Sequence, residues 1–151
     1  MRKQTWGNAT WYMLHVLAEK LRPEERALVP SLLHHIESVC ANLPCPDCAE
    51  HASRLLATSN RAAINDRESL RRFLYDLHRH VNERLGKHTP PYETCNELYS
   101  RGRTDVVVRH FFAVMAGVRS QNKAMIYGFR RAQCLKEFAQ FLDSNSAAFH
   151  A

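Results

Sequence analysis

The chain has 151 residues, of which 45% are hydrophobic and 24% are charged. This composition is typical of one compact globular protein, and it excludes disordered and fibrous chains. The formal net charge is +6, and the excess lies in the C-terminal third, where residues 101–136 contain eight Lys and Arg side chains and one acidic side chain, Asp105. Few aromatic residues are interleaved with these basic residues, so we interpret them as a solvated helix face rather than as a nucleic-acid-binding surface.

The N-terminal residues lack the pattern of a secretory signal, because residues 6–20 have the spacing of an amphipathic helix. The longest central apolar run, residues 111–118, lies between Arg109 and Arg119 and is far too short to span a bilayer. The sequence therefore predicts no signal peptide and no membrane span.

Apolar residues recur at helical spacing almost throughout the chain, and the alternation and turn signals of β-hairpins are absent. Pro23 suits the first turn of the second helix, Asp66 is the predicted N-cap of the fourth helix and Gly86 its C-terminal stop. The predicted helices cover about residues 6–20, 23–39, 46–56, 67–85, 92–100, 106–118 and 126–142. This pattern predicts an all-α bundle.

Cys45 and Cys48 are two of five cysteines and form a closely spaced pair in the segment NLPCPDCAEH, residues 42–51. A Cys-x-x-Cys pair at the start of a helix places the first sulfur near free backbone N–H groups and the positive end of the helix dipole. That environment favours a thiolate, and Cys45 is therefore a candidate nucleophile.

Three interpretations of this pair compete on spacing alone. A zinc half-site would need two further ligands, either His78 and His80 or His88 and Cys95, although residues two apart on a helix face different directions. A thioredoxin-like redox centre should follow a β-strand, yet the preceding residues have a helical pattern. Two buried packing cysteines would not explain the flanking prolines. The spacing alone leaves all three open.

Three segments carry a resemblance to a known family: WGNATWYMLHVLA at residues 6–18, PCPDCAEHASRLL at 44–56 and LHRHVNERLGK at 77–87. In this order and at these separations they closely resemble the flavin-dependent sulfhydryl oxidases of the Erv/ALR family. The resemblance covers about residues 6–100, and it is specific because three separate motifs agree. The opening Trp-Gly-x-x-x-Trp looks most like the versions encoded by large DNA viruses.

The resemblance implies a four-helix bundle with a short fifth helix at residues 1–102, and it leaves residues 103–151 as a C-terminal helical extension. The apolar stripes of this extension predict that it packs on the bundle or at a dimer interface. It implies bound FAD, a homodimer, and oxidation of protein thiols to disulfides with electrons passed to oxygen to give hydrogen peroxide. The thiol substrate would be a protein, such as a thioredoxin-like dithiol carrier. A viral protein of this kind would act in the host cytoplasm or the virion.

Positions that match the family's motifs imply the site residues. Cys45 and Cys48 would form the redox disulfide, with Cys45 exchanging with substrate and Cys48 next to the flavin. The residues expected to contact the cofactor are Trp11, His15, Cys48, His78, Asn82, Lys87 and Tyr99. Two pairs among them, Trp11 with His15 and His78 with Asn82, are four residues apart, so each pair projects from one helix face.

The chain also departs from the family's pattern. Asn8 follows Gly7 where an Arg is common, and Leu43 replaces an aromatic residue before the Pro-Cys. Tyr75 stands where a structural cysteine often occurs, so Cys95 lacks its usual mate, and Arg79 replaces the Asn of the usual His-Asn pair.

Three single cysteines, Cys40, Cys95 and Cys134, are expected to be inert rather than to relay electrons. Two alternatives to an oxidase remain, a non-catalytic zinc-stabilised helical adaptor and a basic nucleic-acid-binding module.

Overall fold

The computed structural model describes residues 2–118 and 125–151, and of Met125 and Ile126 only the backbone. Within these ranges the protein is helical, and it has no β-strand apart from a single bridge between Leu21 and Phe149. The helices are α1 (Lys3–Lys20), α2 (Val29–Ala41), α3 (Pro46–Ala57), α4 (Arg67–Leu85), α5 (Tyr92–Ser100), α6 (Thr104–Ala116) and α7 (Met125–Ser144). Short 3-10 helices cover Pro23–Leu28, Arg61–Ala63 and Ser146–Ala148. The predicted all-α class is confirmed.

The ends of α4 form as predicted. The Asp66 carboxylate accepts a hydrogen bond from the backbone N–H of Ser69 at 2.8 Å, and the Ser69 hydroxyl reaches back to the Asp66 backbone N–H. At the other end Gly86 adopts φ 69°, a left-handed conformation that costs glycine little because it has no Cβ. These local signals fix where α4 begins and ends.

The expectation that Pro23 opens the second helix is wrong. Pro23 begins a separate 3-10 helix that is kinked at Glu25 (φ −92°, ψ 31°), and α2 begins only at Val29. The reason is local, because a residue with these dihedral angles cannot continue an α-helical hydrogen-bond ladder. In addition, α1 begins at Lys3, about one turn earlier than its apolar stripe predicts.

The core is built around α1, which packs against α4, α5 and α6, while α2 packs against α3 and α7. Its fully buried side chains include Met13, Leu14, Val16, Leu17, Leu32, Ile36, Leu70, Leu74, Phe111 and Phe138. Burying one such side chain contributes about 1.5–3 kcal/mol, and α1 supplies four of the ten named here. At Gly102 a Cβ would lie 2.8 Å from a Val16 methyl carbon, so the turn before α6 approaches α1 more closely than any side chain allows.

The apolar stripes of the C-terminal helices pack within the chain. Phe111 and Met115 of α6 are buried against α1, and Phe138 and Leu142 of α7 are buried beside α2. These stripes therefore pack against other helices of the same chain. Two of the basic residues counted in this third, Arg119 and Lys123, lie outside the described residues.

The last residues of the chain are fastened to the end of α1. The backbone N–H of His150 donates to the Lys20 carbonyl at 2.7 Å, and the Thr104 hydroxyl donates to the His150 carbonyl at 2.6 Å. Phe149 is buried next to Leu21. The C-terminus thus connects the end of α1 to the start of α6, whereas the division of the chain at residue 102 stays a prediction.

None of the helices in residues 2–118 and 125–151 combines the length and the apolar character that crossing a bilayer requires.

Candidate active site

The cysteine pair lies at the start of α3. Cys45 is the N-cap residue, and its sulfur accepts a hydrogen bond from the backbone N–H of Cys48 at 3.3 Å. Pro46 follows at the first helical position, where its missing N–H costs nothing. The Cys45 sulfur therefore lies at the end of α3 where free backbone N–H groups favour negative charge, as the sequence predicts.

Cys48 is half-buried one turn into α3. Burial raises the pKa of its thiol, the adjacent Cys45 raises it further, and the Lys3 ammonium opposes both effects. All five cysteines are free thiols in this structure. The charge of Lys3 thus favours a thiolate on Cys48.

Both cysteines open into a cavity of about 710 Å³ between α1, α3 and α4. This volume lies within the ~300–1,000 Å³ range of small-molecule and cofactor sites. The apolar wall of the cavity includes Trp6, Trp11, Leu14, Leu43, Leu77 and Val81. The cavity can therefore hold a large planar ligand beside the two sulfurs.

The charges around the cavity are mostly positive. Lys3, Arg84 and Lys87 line it together with a single carboxylate, Asp47. His51 also lines the cavity wall. Burial is the largest cause that lowers the pKa of His51, and the positive charge of Arg84 lowers it further. A ligand with an anionic group such as a pyrophosphate would be electrostatically favoured in this cavity.

Four aromatic rings form a continuous stack beside the cavity. The rings of Trp11 and His78 are parallel within 5° with centroids 3.9 Å apart, and those of His15 and Tyr99 are parallel within 5° at 4.3 Å. A hydrogen bond of 2.9 Å between His15 Nε2 and His78 Nδ1 joins the two halves. Trp11 and His78 line the cavity, whereas His15 and Tyr99 lie behind them.

The two histidines of this stack are held neutral. Burial lowers the pKa of His15 to about 3, with a smaller contribution from His78. Burial also lowers the pKa of His78 to about 4, and Lys87 contributes in the same direction. Since one ring must donate and the other accept in their hydrogen bond, protonation of both would break it.

Asn82 and Lys87 reach the cavity from the end of α4. The left-handed Gly86 turns the chain back, so that the Lys87 N–H donates to the Asn82 carbonyl at 2.8 Å. The Asn82 side chain donates to the Thr89 hydroxyl at 3.0 Å, which fixes the amide's orientation. Both predicted residues line the cavity.

The structure thus brings most of the predicted site residues to one cavity. Trp11, Cys45, Cys48, His78, Asn82 and Lys87 line it, and His15 and Tyr99 support it from behind. Sequence reasoning missed Lys3, His51 and Arg84. His51 carried a usable signal, because it lies three residues after Cys48 on the same helix. Lys3 carried none, because a lysine near the start of a helix is ordinary.

The family departures have structural consequences. Asn8 and Leu43 both line the cavity, so an amide and an aliphatic side chain occupy positions that often hold an Arg and an aromatic ring. Tyr75 and Cys95 both donate to the Pro90 carbonyl, at 2.7 Å and 3.7 Å. Hydrogen bonds to one carbonyl thus join α4 and α5 where the family's pattern implies a disulfide.

The other two single cysteines are buried at the contact between α2 and α7. Burial raises the pKa of Cys40 to about 12, and the Cys134 thiol pKa is raised for the same reason. The Ser38 hydroxyl donates to the Cys134 sulfur at 3.3 Å. Within the described ranges, no three His, Cys, Asp or Glu side chains are grouped as a metal site requires.

The structure thus has a helical bundle in which a Cys-x-x-Cys pair opens into a cationic, aromatic-walled cavity of the size of a cofactor site. Sequence comparison identifies the family to which this bundle belongs. The sequence profile of the Erv1 / Alr family matches residues 8–101, more than half of the chain. The chain belongs to the Erv1 / Alr family.

Individual relatives carry a common name. An Arabidopsis thaliana FAD-linked sulfhydryl oxidase is 34% identical over 103 residues, which cover 66% of this chain and 52% of the relative. A protein of Invertebrate iridescent virus 3, also named as an FAD-linked sulfhydryl oxidase, is 31% identical over 96 residues, or 62% of this chain and 65% of the relative. A fowlpox virus protein with a name of the same kind is 22% identical over 81 residues, or 54% of this chain and 82% of the relative.

The matched region thus spans between half and two thirds of the length of the Arabidopsis and iridescent virus proteins. No solved structure matches the chain.

Proposed function

We propose that this protein is an FAD-dependent thiol oxidase that forms disulfides in protein substrates. The single observation that supports this most strongly is the shared cavity. Cys45 and Cys48 open into the same space of about 710 Å³ as Trp11, His78 and Lys87. The names of the Erv1 / Alr relatives support the same chemistry.

The residues present fit FAD. The flat faces of Trp11 and His78 suit an aromatic ring system, and the Asn82 amide suits its polar edges. Arg84 and Lys87 can bind the pyrophosphate. When bound, FAD would accept two electrons from the reduced cysteine pair and pass them to oxygen, giving hydrogen peroxide.

The chain's own part in the reaction is thiol-disulfide exchange. A substrate thiolate attacks the Cys45 sulfur of a Cys45–Cys48 disulfide, which bonds the substrate to Cys45 and releases Cys48 as a thiolate. A second substrate thiolate then attacks the substrate sulfur of this mixed disulfide and releases Cys45. The substrate leaves as a disulfide, and the cysteine pair holds its two electrons.

The division of the chain into two parts, the homodimer and the viral source are proposals as well. Residues 1–102 would form the cofactor-binding bundle and residues 103–151 an extension on it, which agrees with the end of the family match at residue 101. A homodimer could use the exposed apolar side chains of Tyr12 and Leu98. Viral relatives support a viral source, and with it action in the host cytoplasm or virion.

The proposal predicts that FAD co-purifies with the protein and depends on His78. His78→Ala removes a ring of the cavity wall and should weaken FAD retention by about tenfold or more, since one stacking contact contributes about 0.5–1.5 kcal/mol and the partner Trp11 loses its position. The matched control is His80→Ala, because His80 is exposed on the same helix and does not line this cavity.

The measurement is the amount of FAD released by denaturing each purified variant, together with oxygen consumption on addition of dithiothreitol. We expect flavin in the wild type and in His80→Ala, and little in His78→Ala. A wild-type protein that neither retains FAD nor binds added FAD would contradict the proposal, and would favour the zinc-stabilised adaptor or the nucleic-acid-binding module.

A further inference from the structure

Lys3 lies in the first turn of α1 and lines the cavity beside the cysteine pair. The first turn of α1 contains no acidic residue that could neutralise it. Of the three Lys and Arg side chains lining the cavity, Arg84 and Lys87 come from the end of α4, where Arg84 acts on His51 and Lys87 on His78. Lys3 is therefore the cation that α1 contributes.

Several charged or titratable groups share the cavity with Cys48. From α2 this is Cys40, from α3 and its cap Cys45, Asp47 and His51, and from α4 and the turn after it His78, Arg84 and Lys87. Among the groups that act on the Cys48 thiol, Lys3 is the one that favours the charged form, whereas burial and Cys45 favour the neutral form. Lys3 is thus the cation lining this cavity that favours the charged form of Cys48.

The reaction of the cysteine pair needs a charge at this sulfur. When substrate bonds to Cys45, the Cys45–Cys48 bond breaks and both of its electrons remain on Cys48. A lower-pKa leaving thiol departs faster, and an opposite charge within about 4–6 Å lowers a pKa by roughly 1–3 units.

We propose that Lys3 is a catalytic residue whose ammonium stabilises Cys48 as a thiolate when the disulfide opens. The proposal rests on the proposed oxidase function and extends it to a residue outside the family match, which begins at residue 8. Lys3 would also keep Cys48 ionised next to the bound flavin, because a thiolate donates electrons better than a neutral thiol does.

The test uses the absorbance of a thiolate beside oxidised flavin, measured in Cys45→Ser protein with FAD bound. In this background Cys48 cannot form its disulfide, and the pH at which the long-wavelength band reaches half its height reports ionisation of Cys48. Lys3→Met should move this midpoint upward by about 1 pH unit or more, while Lys3→Arg should leave it nearly unchanged. Arg2→Met is the matched control, because Arg2 is an exposed cation like Lys3 but does not line the cavity.

In otherwise wild-type protein, Lys3→Met should slow dithiol oxidation at neutral pH by about tenfold, with recovery at higher pH as Cys48 ionises unaided. A midpoint that is the same in Lys3→Met and its parent would overturn the role of Lys3 while leaving the oxidase proposal intact. A parent that binds FAD but shows no band at any pH would overturn the assignment of Cys48 and the role of Lys3 with it.

Discussion

Cys45→Ser is expected to abolish dithiol oxidation and, in the same protein, to produce a long-wavelength absorbance band. Without Cys45 no disulfide can form at the start of α3, so turnover should fall by more than about a thousandfold. Cys48 remains as an unpaired thiol in the cavity, where Lys3 favours its thiolate. A thiolate held against oxidised flavin gives a charge-transfer absorbance that an enzyme with an intact disulfide lacks.

Cys48→Ser is the matched variant, and it should behave differently in one respect. Turnover should be lost to the same extent, but no long-wavelength band should appear, because the family resemblance implies that Cys48, and not the N-cap residue Cys45, lies next to the flavin. Cys45 should still form a trapped mixed disulfide with a substrate thiol. Both variants should retain FAD, since neither sulfur is required to bind it.

The comparison of these two variants assigns the roles of the cysteines. A band in Cys48→Ser and none in Cys45→Ser would reverse the assignment. Full dithiol oxidation in either variant would remove the pair from the mechanism.

The protein is expected to lose stability as the pH falls below about 6.5, because the stacked pair of His15 and His78 is buried in its neutral form. Burial lowers the pKa of His78 from 6.5 to about 4, so the unfolded chain binds more protons than the folded one between these values. The stabilisation is complete above pH 6.5 and is lost as the pH falls toward 4.

The expected loss from His78 alone is about 2 kcal/mol in the free energy of unfolding between pH 7.5 and pH 5, and the more deeply buried His15 adds to it in the same direction. The measurement is urea unfolding across this pH range. Removing the titrating ring with His78→Gln should flatten the profile, and His110→Gln, at an exposed position on α6, should leave it as in the wild type. A wild-type free energy of unfolding that does not change between pH 7.5 and pH 5 would refute the buried neutral pair.

Local signals in the sequence predicted the parts of the fold that depend on neighbouring residues. Asp66 and Gly86 mark the ends of α4 because a side-chain cap and a left-handed turn are formed within a few residues. The kink at Glu25 was missed because the apolar residues after Pro23 do not encode the backbone angles of the turn before α2. The contact between Phe149 and Leu21 joins residues that are far apart in the chain, and the sequence around either residue does not predict it.

In the candidate site, too, the sequence predicted features that depend on neighbouring residues and missed contacts between distant ones. The sequence motifs identified two pairs of site residues. Cys45 and Cys48 are three residues apart at the start of α3, and His78 and Asn82 are four residues apart on α4. The hydrogen bond between His15 and His78 joins α1 to α4, so only the packed bundle shows that His15 lies behind the cavity wall. The position of Lys3 beside Cys48 likewise depends on how α1 meets α3.

The central claim is that the Cys45–Cys48 pair and a bound flavin form one electron pathway, and an anaerobic titration tests it most directly. Oxidised protein is titrated with dithiothreitol while the flavin absorbance is followed, and each mole of dithiol supplies two electrons. If the pair and the flavin both accept electrons, complete bleaching should take about two moles of dithiol per mole of flavin, and the first product should be a reduced pair. Bleaching complete after about one mole, with Cys45 and Cys48 never protected from thiol alkylation in the oxidised protein, would contradict the account.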